Sequence, residues 1–179
     1  ALRMSSRPSV SAAMSSGADQ VVLALDGRPG AWCPEGVRVI QQVDGPFGHR
    51  LGAAWSSAGG PAVQIGMDTP QVTAADLDRA MAQLTVPRTD AVLGPAVDGG
   101  WWAIGFRAPE PTAFHRVPMS KGTTGARQLD RLTALGLLVE ACAGVREAWE
   151  PEVEGAGVTG SEFDVLIRLA RSDRHRLRM

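Results

Sequence analysis

The chain has 179 residues, 44% hydrophobic and 21% charged, which suits one globular domain with a core of its own. Eighteen basic against 19 acidic residues leave a formal net charge of −1, which excludes a generally basic nucleic-acid coat protein and confines anion binding to a local patch. Two cysteines, Cys33 and Cys142, stand in no metal-ligand spacing, so neither a disulfide framework nor structural zinc is expected.

In chain order, Ser9 to Ala18 (SVSAAMSSGA) reads as a short helix stopped by Gly17. Gln20 to Leu25 is a continuous apolar run of strand length, closed by Asp26-Gly27-Arg28-Pro29-Gly30. A second strand is predicted at Val37 to Gln41. Phe47, Leu51, Ala54, Trp55 and Ala58 have helical spacing, and that helix stops at Gly59-Gly60. Ala62 to Gly66 is a third strand. Thr73 caps an amphipathic helix through Leu84, with Leu77, Ala80, Met81 and Leu84 on one face. Asp90 to Gly94 and Trp101 to Phe106 are the fourth and fifth strands, and Gly125 to Leu135 is a further helix. Strands that are apolar throughout, alternating with helices, predict a three-layer α/β domain whose mainly parallel sheet is covered on both faces.

After Gly136 the pattern changes, and a boundary is placed near residues 136–144, between a domain of residues 1–139 and an extension of residues 140–179. From Glu140 to Asp164 seven acids face one base, Arg146, and from Arg168 to Met179 five arginines face Asp173. The extension reads as helical, with an apolar-faced helix from Val158 to Leu169. Its basic end predicts weak, sequence-independent and salt-sensitive contact with DNA phosphates. No apolar run approaches the roughly 20 residues of a membrane span, so a cytoplasmic protein with no membrane partner is expected.

In parallel sheets chemistry gathers beyond the carboxyl ends of the strands. Asp68 follows one strand and precedes Pro70. Its carboxylate suits a ligand for Mg²⁺ or Mn²⁺ with substrate phosphates completing the shell, or else begins the turn into the Thr73 helix. Asp98-Gly99-Gly100 follows another strand. The glycines allow positive φ and close approach of a ligand, and Asp98 is placed as a general base, a sugar-orienting group or a neighbour of the metal; a simple turn is the alternative. Trp101 and Trp102 point to opposite faces, one into the core and one toward the cleft as a flat surface for a base or sugar. Arg50, early in its helix, is a candidate phosphate contact or a solvated surface arginine. Ser120, Lys121, Thr123 and Thr124 precede a helix whose free N–H groups favour an anion, or else serve as ordinary caps. His49, His115 and His175 have no metal spacing and read as surface residues.

Gly66-Met67-Asp68-Thr69-Pro70, the helix after it, and Ala91 through Asp98-Gly99-Gly100-Trp101-Trp102 to Gly105 resemble a bacterial family of glycosyltransferase-A-like proteins in the nucleotide-diphospho-sugar transferase superfamily. The resemblance continues through Val117-Pro118-Met119-Ser120 and Thr124 to Leu129, and covers residues 18–139. It implies a Rossmann-like sandwich, a nucleotide-activated sugar or related donor, and a divalent metal near Asp68, with Asp98, Gly99 and Gly100 positioning acceptor or sugar. Arg50, Trp101, Ser120 and Thr124 complete the substrate contacts. Such a family opens with a strand and a basic Pro-Gly-Arg loop, whereas residues 1–10 read ALRMSSRPSV. Its acidic Asp-Val-Asp-type motif falls where this chain has Gly144-Val145-Arg146-Glu147-Ala148-Trp149.

Residues 137–179 are similar to the early helices of MarR-type winged-helix regulators, which implies a regulator relative as an alternative to a transferase; a non-catalytic nucleotide-sugar binder is the third reading. A sheet without its first strand leaves Val21–Leu25 or Ala62–Ile65 unpaired, so cover by the Val158–Leu169 helix, or a homodimer, is expected.

Overall fold

A computed structural model of the chain describes residues 6–66, 69–142 and 163–168. The helices are α1 (Ser6–Ser15), α2 (Phe47–Ala58), α3 (Ala74–Thr85) and α4 (Thr124–Ala134), with a 3₁₀ turn at Pro111–Phe114. The strands are β1 (Gln20–Leu25), β2 (Arg38–Gln41), β3 (Ala62–Gly66), β4 (Ala91–Pro95), β5 (Trp101–Phe106), β6 (Val139–Ala141) and β7 (Phe163–Arg168). They form one seven-stranded sheet in the order β2-β1-β7-β3-β5-β4-β6. β1, β2, β3, β4 and β6 run one way, and β5 and β7 run the other. The mainly parallel α/β sandwich expected from the pattern is therefore present.

Alternation along β1 explains the layers, because successive side chains leave a strand on opposite faces. Val21, Leu23 and Leu25 join Val10 and Ala13 of α1 and Leu77, Ala80 and Met81 of α3 in one core. Val22 and Ala24 face the other way, onto Leu51, Ala54 and Trp55 of α2, Leu132 of α4 and Phe114. Trp55 is fully buried, edge-on to Phe106 at 4.8 Å, and its indole N–H donates to Gln64 Oε1 at 2.6 Å. Burying the Trp55 side chain alone contributes about 2–3 kcal/mol. α3 starts where Thr73 predicts: its hydroxyl accepts from Asp76 N at 3.2 Å, and Asp76 Oδ2 accepts from Thr73 N at 2.9 Å. This reciprocal cap fixes the start of the helix.

The segment after Gly136 departs from expectation. Val139–Ala141 forms β6 at the sheet's edge, parallel to β4, so the sheet extends into the region of the expected boundary. Residues 163–168, read as part of a helix and within the MarR-like stretch, form β7 instead. β7 lies antiparallel between β1 and β3, pairing Val22 with Leu166 on one side and Leu166 with Gln64 on the other. These are the two strands expected to lack a partner, and a strand of the same chain fills the gap, in place of a covering helix or a second copy. The physical reason is hydrogen bonding. A helix laid over the gap would bury side chains but leave two rows of backbone N–H and C=O groups unpaired, whereas a strand pairs both rows. The remainder of the MarR-like segment and the arginine-rich end lie outside the described residues. No helix among the described residues is long and apolar enough to cross a membrane.

Candidate functional site

Because β1, β2, β3 and β4 run the same way, their carboxyl ends at Leu25, Gln41, Gly66 and Pro95 share one edge of the sheet. β5 and β7 begin there, at Trp101 and Phe163. β3 and β4 flank β5, so their axes stand about 10 Å apart at the usual strand spacing. β3 and β4 thus end side by side, one on each side of β5. Asp68, the expected metal ligand two residues beyond Gly66, lies outside the described residues.

The loop after β4 is built by glycine. Asp98 is exposed, and its Oδ1 accepts from Gly100 N at 2.8 Å, folding the carboxylate back over the turn. Gly99 has φ +84°, and a Cβ there would stand 1.9 Å from the Gly122 carbonyl oxygen. Gly125 donates its N–H to Gly99 O at 2.8 Å, and a Cβ on Gly125 would stand 2.5 Å from Gly100 O. The glycines that suggest a close approach to ligand are here spent on a close approach of two protein segments: they lock the Asp98 loop against the start of α4. Sequence reasoning misses Gly122 and Gly125, whose only signal there is glycine flanking a helix start.

That packing brings Asp98 beside residues 118–125, so Ser120 and Asp98 belong to neighbouring loops of one site. Ser120 is exposed and holds a left-handed backbone at φ +56°. Thr124 takes another role. It is 5% exposed, its hydroxyl donates to Pro118 O at 2.8 Å and accepts from Lys121 N at 3.0 Å, and its single proton is therefore committed. The helix start is likewise occupied, since Thr124 N donates to Lys121 O and Gly125 N to Gly99 O. Thr123 makes no side-chain cap. The anion contact expected at Thr124 and at these N–H groups is thus replaced by bonds within the turn.

Trp101 and Trp102 leave opposite faces of β5. Trp102 is core, its indole lying across Gly94, where a Cβ would meet Nε1 at 2.3 Å. Trp101 is half-buried on the α2 and α4 side, and among the described residues its buried Nε1 has no hydrogen-bond partner. Trp101 thus presents a partly open ring at the shared edge. Arg50 stands in the first turn of α2, where Nη1 donates to Gln42 Oε1 at 2.9 Å and the guanidinium lies 5.3 Å from the Phe47 ring centroid. It reaches the same edge, but by β1 and β2, four strand positions and about 19 Å from β4.

Divalent metals that travel with phosphates need only one or two protein carboxylates. Asp98 is exposed and, among the described residues, its Oδ2 makes no hydrogen bond, so one donor of that kind is available at the edge. No group of three or more His, Cys, Asp or Glu is placed to hold an ion among the described residues. This donor set fits an ion carried in by its substrate and does not by itself form a resident metal cage. Elsewhere, burial pushes the Cys142 thiol up from 9.0 to about 11, a value suited to packing and not to nucleophilic work.

A family described as "Uncharacterized protein conserved in bacteria" matches residues 7–121. Among solved structures the chain is similar to a protein of Desulfovibrio desulfuricans G20 described as a "putative nucleotide-diphospho-sugar transferase", with 22% identity and a TM-score of 0.67. The likeness covers 79% of this chain and 67% of that one. At that identity it shows the fold. No curated protein matches the chain.

Proposed function

We propose, for a chain that belongs to the DUF2064 family of proteins conserved in bacteria, a transferase that takes a nucleotide-activated sugar or related donor at the carboxyl-terminal edge of its sheet. The observation that carries this reading is the packing of the Asp98 loop after β4 against residues 118–125, at the edge of the sheet where β3 also ends. The solved structure with the same fold carries a nucleotide-diphospho-sugar transferase description, which supports the same class. The reaction is glycosyl transfer, which breaks the bond from the sugar's anomeric carbon to the β-phosphate oxygen; nucleotidyl transfer, which breaks the α–β phosphoanhydride, is the variant.

In this reading Asp98 orients an acceptor or sugar hydroxyl through Oδ2, because Oδ1 is held by Gly100 N. Trp101 supplies a flat face at that edge, and Ser120 a hydroxyl from the neighbouring segment. Asp68 would hold Mg²⁺ or Mn²⁺ together with the donor's phosphates, and the ion would supply neutralisation of the charge that builds on the leaving diphosphate. Arg50, Gly99 and Gly100 act by shaping the edge: Arg50 through Gln42 and Phe47, the glycines by seating the Asp98 loop. A non-catalytic binder is the second reading.

Release of nucleoside diphosphate from a panel of nucleotide-sugars, with Mn²⁺ and candidate acceptors, tests the proposal. Transfer that Asp98→Asn slows at least about a hundredfold supports it, on the scale of a lost general base or orienting group. Saturable donor binding without any release supports the binder, and neither binding nor release refutes both.

A further inference from the structure

A second place on the molecule collects charge that the proposed transfer does not use. α2 carries Gly48 and Gly52 one turn apart, and the segment after β5 lies directly against them. A Cβ on Gly48 would stand 2.8 Å from Phe114 O, and one on Gly52 only 2.5 Å from Pro111 O. Beyond Phe114 the chain turns away through Arg116, a non-glycine residue at φ +63°. That turn opens a cavity of about 980 Å³ between α2 and residues 111–117. None of Arg50, Asp98, Trp101, Ser120 or Thr124 lines it.

The chemistry of the lining has one sign. Among the described residues, His49, His115 and Arg116 line the cavity and no aspartate or glutamate does, although the whole chain carries more acids than bases. The Arg116 guanidinium has no hydrogen-bond or ion-pair partner among the described residues, and a left-handed arginine costs about 1 kcal/mol or more that its surroundings must offset. His49 is oriented, its Nδ1 lying 3.2 Å from Asp44 O. Phe114 and Val117 supply an apolar wall. A guanidinium and two imidazoles, all hydrogen-bonding groups, on a concave surface with apolar walls match a small molecule that has an anionic head and an apolar body.

We infer that this cavity is a binding site for a phosphorylated or carboxylated small molecule, its anionic group on Arg116 with His49 and His115 beside it. The site is separate from the strand-end edge and does not depend on the transferase reading.

Phenyl phosphate is the probe, with phenol as its neutral counterpart, followed by backbone amide shifts of the full chain without metal. Phenyl phosphate should bind saturably with Kd on the order of 1 mM, shifting residues of α2 and 111–117, and phenol should not. Arg116→Gly tolerates the positive φ, so it should keep or raise the melting temperature while weakening phenyl phosphate at least about tenfold. Arg116→Lys should retain part of the affinity. Unchanged affinity in Arg116→Gly, or equal binding of phenol, would overturn the inference. So would displacement by uridine diphosphate with Mn²⁺, which would assign the probe to the strand-end site.

Discussion

Gly99→Ala tests how the Asp98 loop is held. Two costs are visible at the position. A side chain at φ +84° costs about 1 kcal/mol relative to glycine. The new Cβ would also stand 1.9 Å from Gly122 O and 2.6 Å from Gly122 C, backbone atoms that cannot swing aside. Relief requires the loop to lift from the start of α4, which stretches the 2.8 Å bond from Gly125 N to Gly99 O, about 1 kcal/mol, and leaves strain of about 1–3 kcal/mol. The sum is about 3–5 kcal/mol. Gly136→Ala is the control. Gly136 has φ +75°, but a methyl group there would meet no atom within 4 Å, so only the backbone cost of about 1 kcal/mol applies. Urea unfolding of both variants, with unchanged m-values, reads the difference directly. Equal losses, within about 0.5 kcal/mol, would refute the packing of this loop on Gly122.

Thr73→Ala removes the acceptor for Asp76 N and should lower stability by about 1 kcal/mol, with Thr73→Ser recovering most of it in the same unfolding assay. Cys142 binds its proton more tightly in the fold (about 11) than the usual 9.0, so its contribution to stability is whole below pH 9 and is lost as pH rises from 9 to 11. Iodoacetamide at pH 8 should therefore label Cys33 well before Cys142, and comparable rates would contradict the buried thiol. A chain ended before Phe163 strips a partner from both β1 and β3, and should sediment as dimers or aggregates where the full chain does not; a cooperatively folding monomer would show β7 to be dispensable.

The legible parts of the fold are those whose partners are dictated locally. Val21–Leu25 is apolar on both faces, which only a covered strand satisfies, and Thr73 with Asp76 announces a helix start by itself. β6 is not legible because it is three residues long, with Glu140 exposed on an edge. β7 is not legible because Phe163-Asp164-Val165-Leu166-Ile167-Arg168 sits among charges and fits a helical spacing as well as a strand. What selects the strand is a pair of unpaired backbones more than ninety residues away in sequence, a tertiary effect that overrides local preference.

The candidate site divides in the same way. Asp98 and Trp101 are placed at a strand end by β4 and β5, and both reach the common edge. Thr124 reads in sequence as a free hydroxyl at a helix start, and only the fold-back that brings Pro118 O to it shows the proton to be committed. His49 and His115, 66 residues apart, line one cavity because Gly48 and Gly52 let a distant segment lie on α2, and no spacing in the chain encodes that.

The proposed metal–diphosphate complex belongs at the edge where β3 and β4 end. Titration calorimetry with Mn²⁺ and uridine diphosphate, on the wild-type chain and on Asp68→Ala, measures it most directly. The account predicts binding that requires both components and disappears in Asp68→Ala, while the unfolding free energy of the variant stays within about 0.5 kcal/mol of wild type. Binding that is indifferent to Mn²⁺, or that survives Asp68→Ala unchanged, would contradict it.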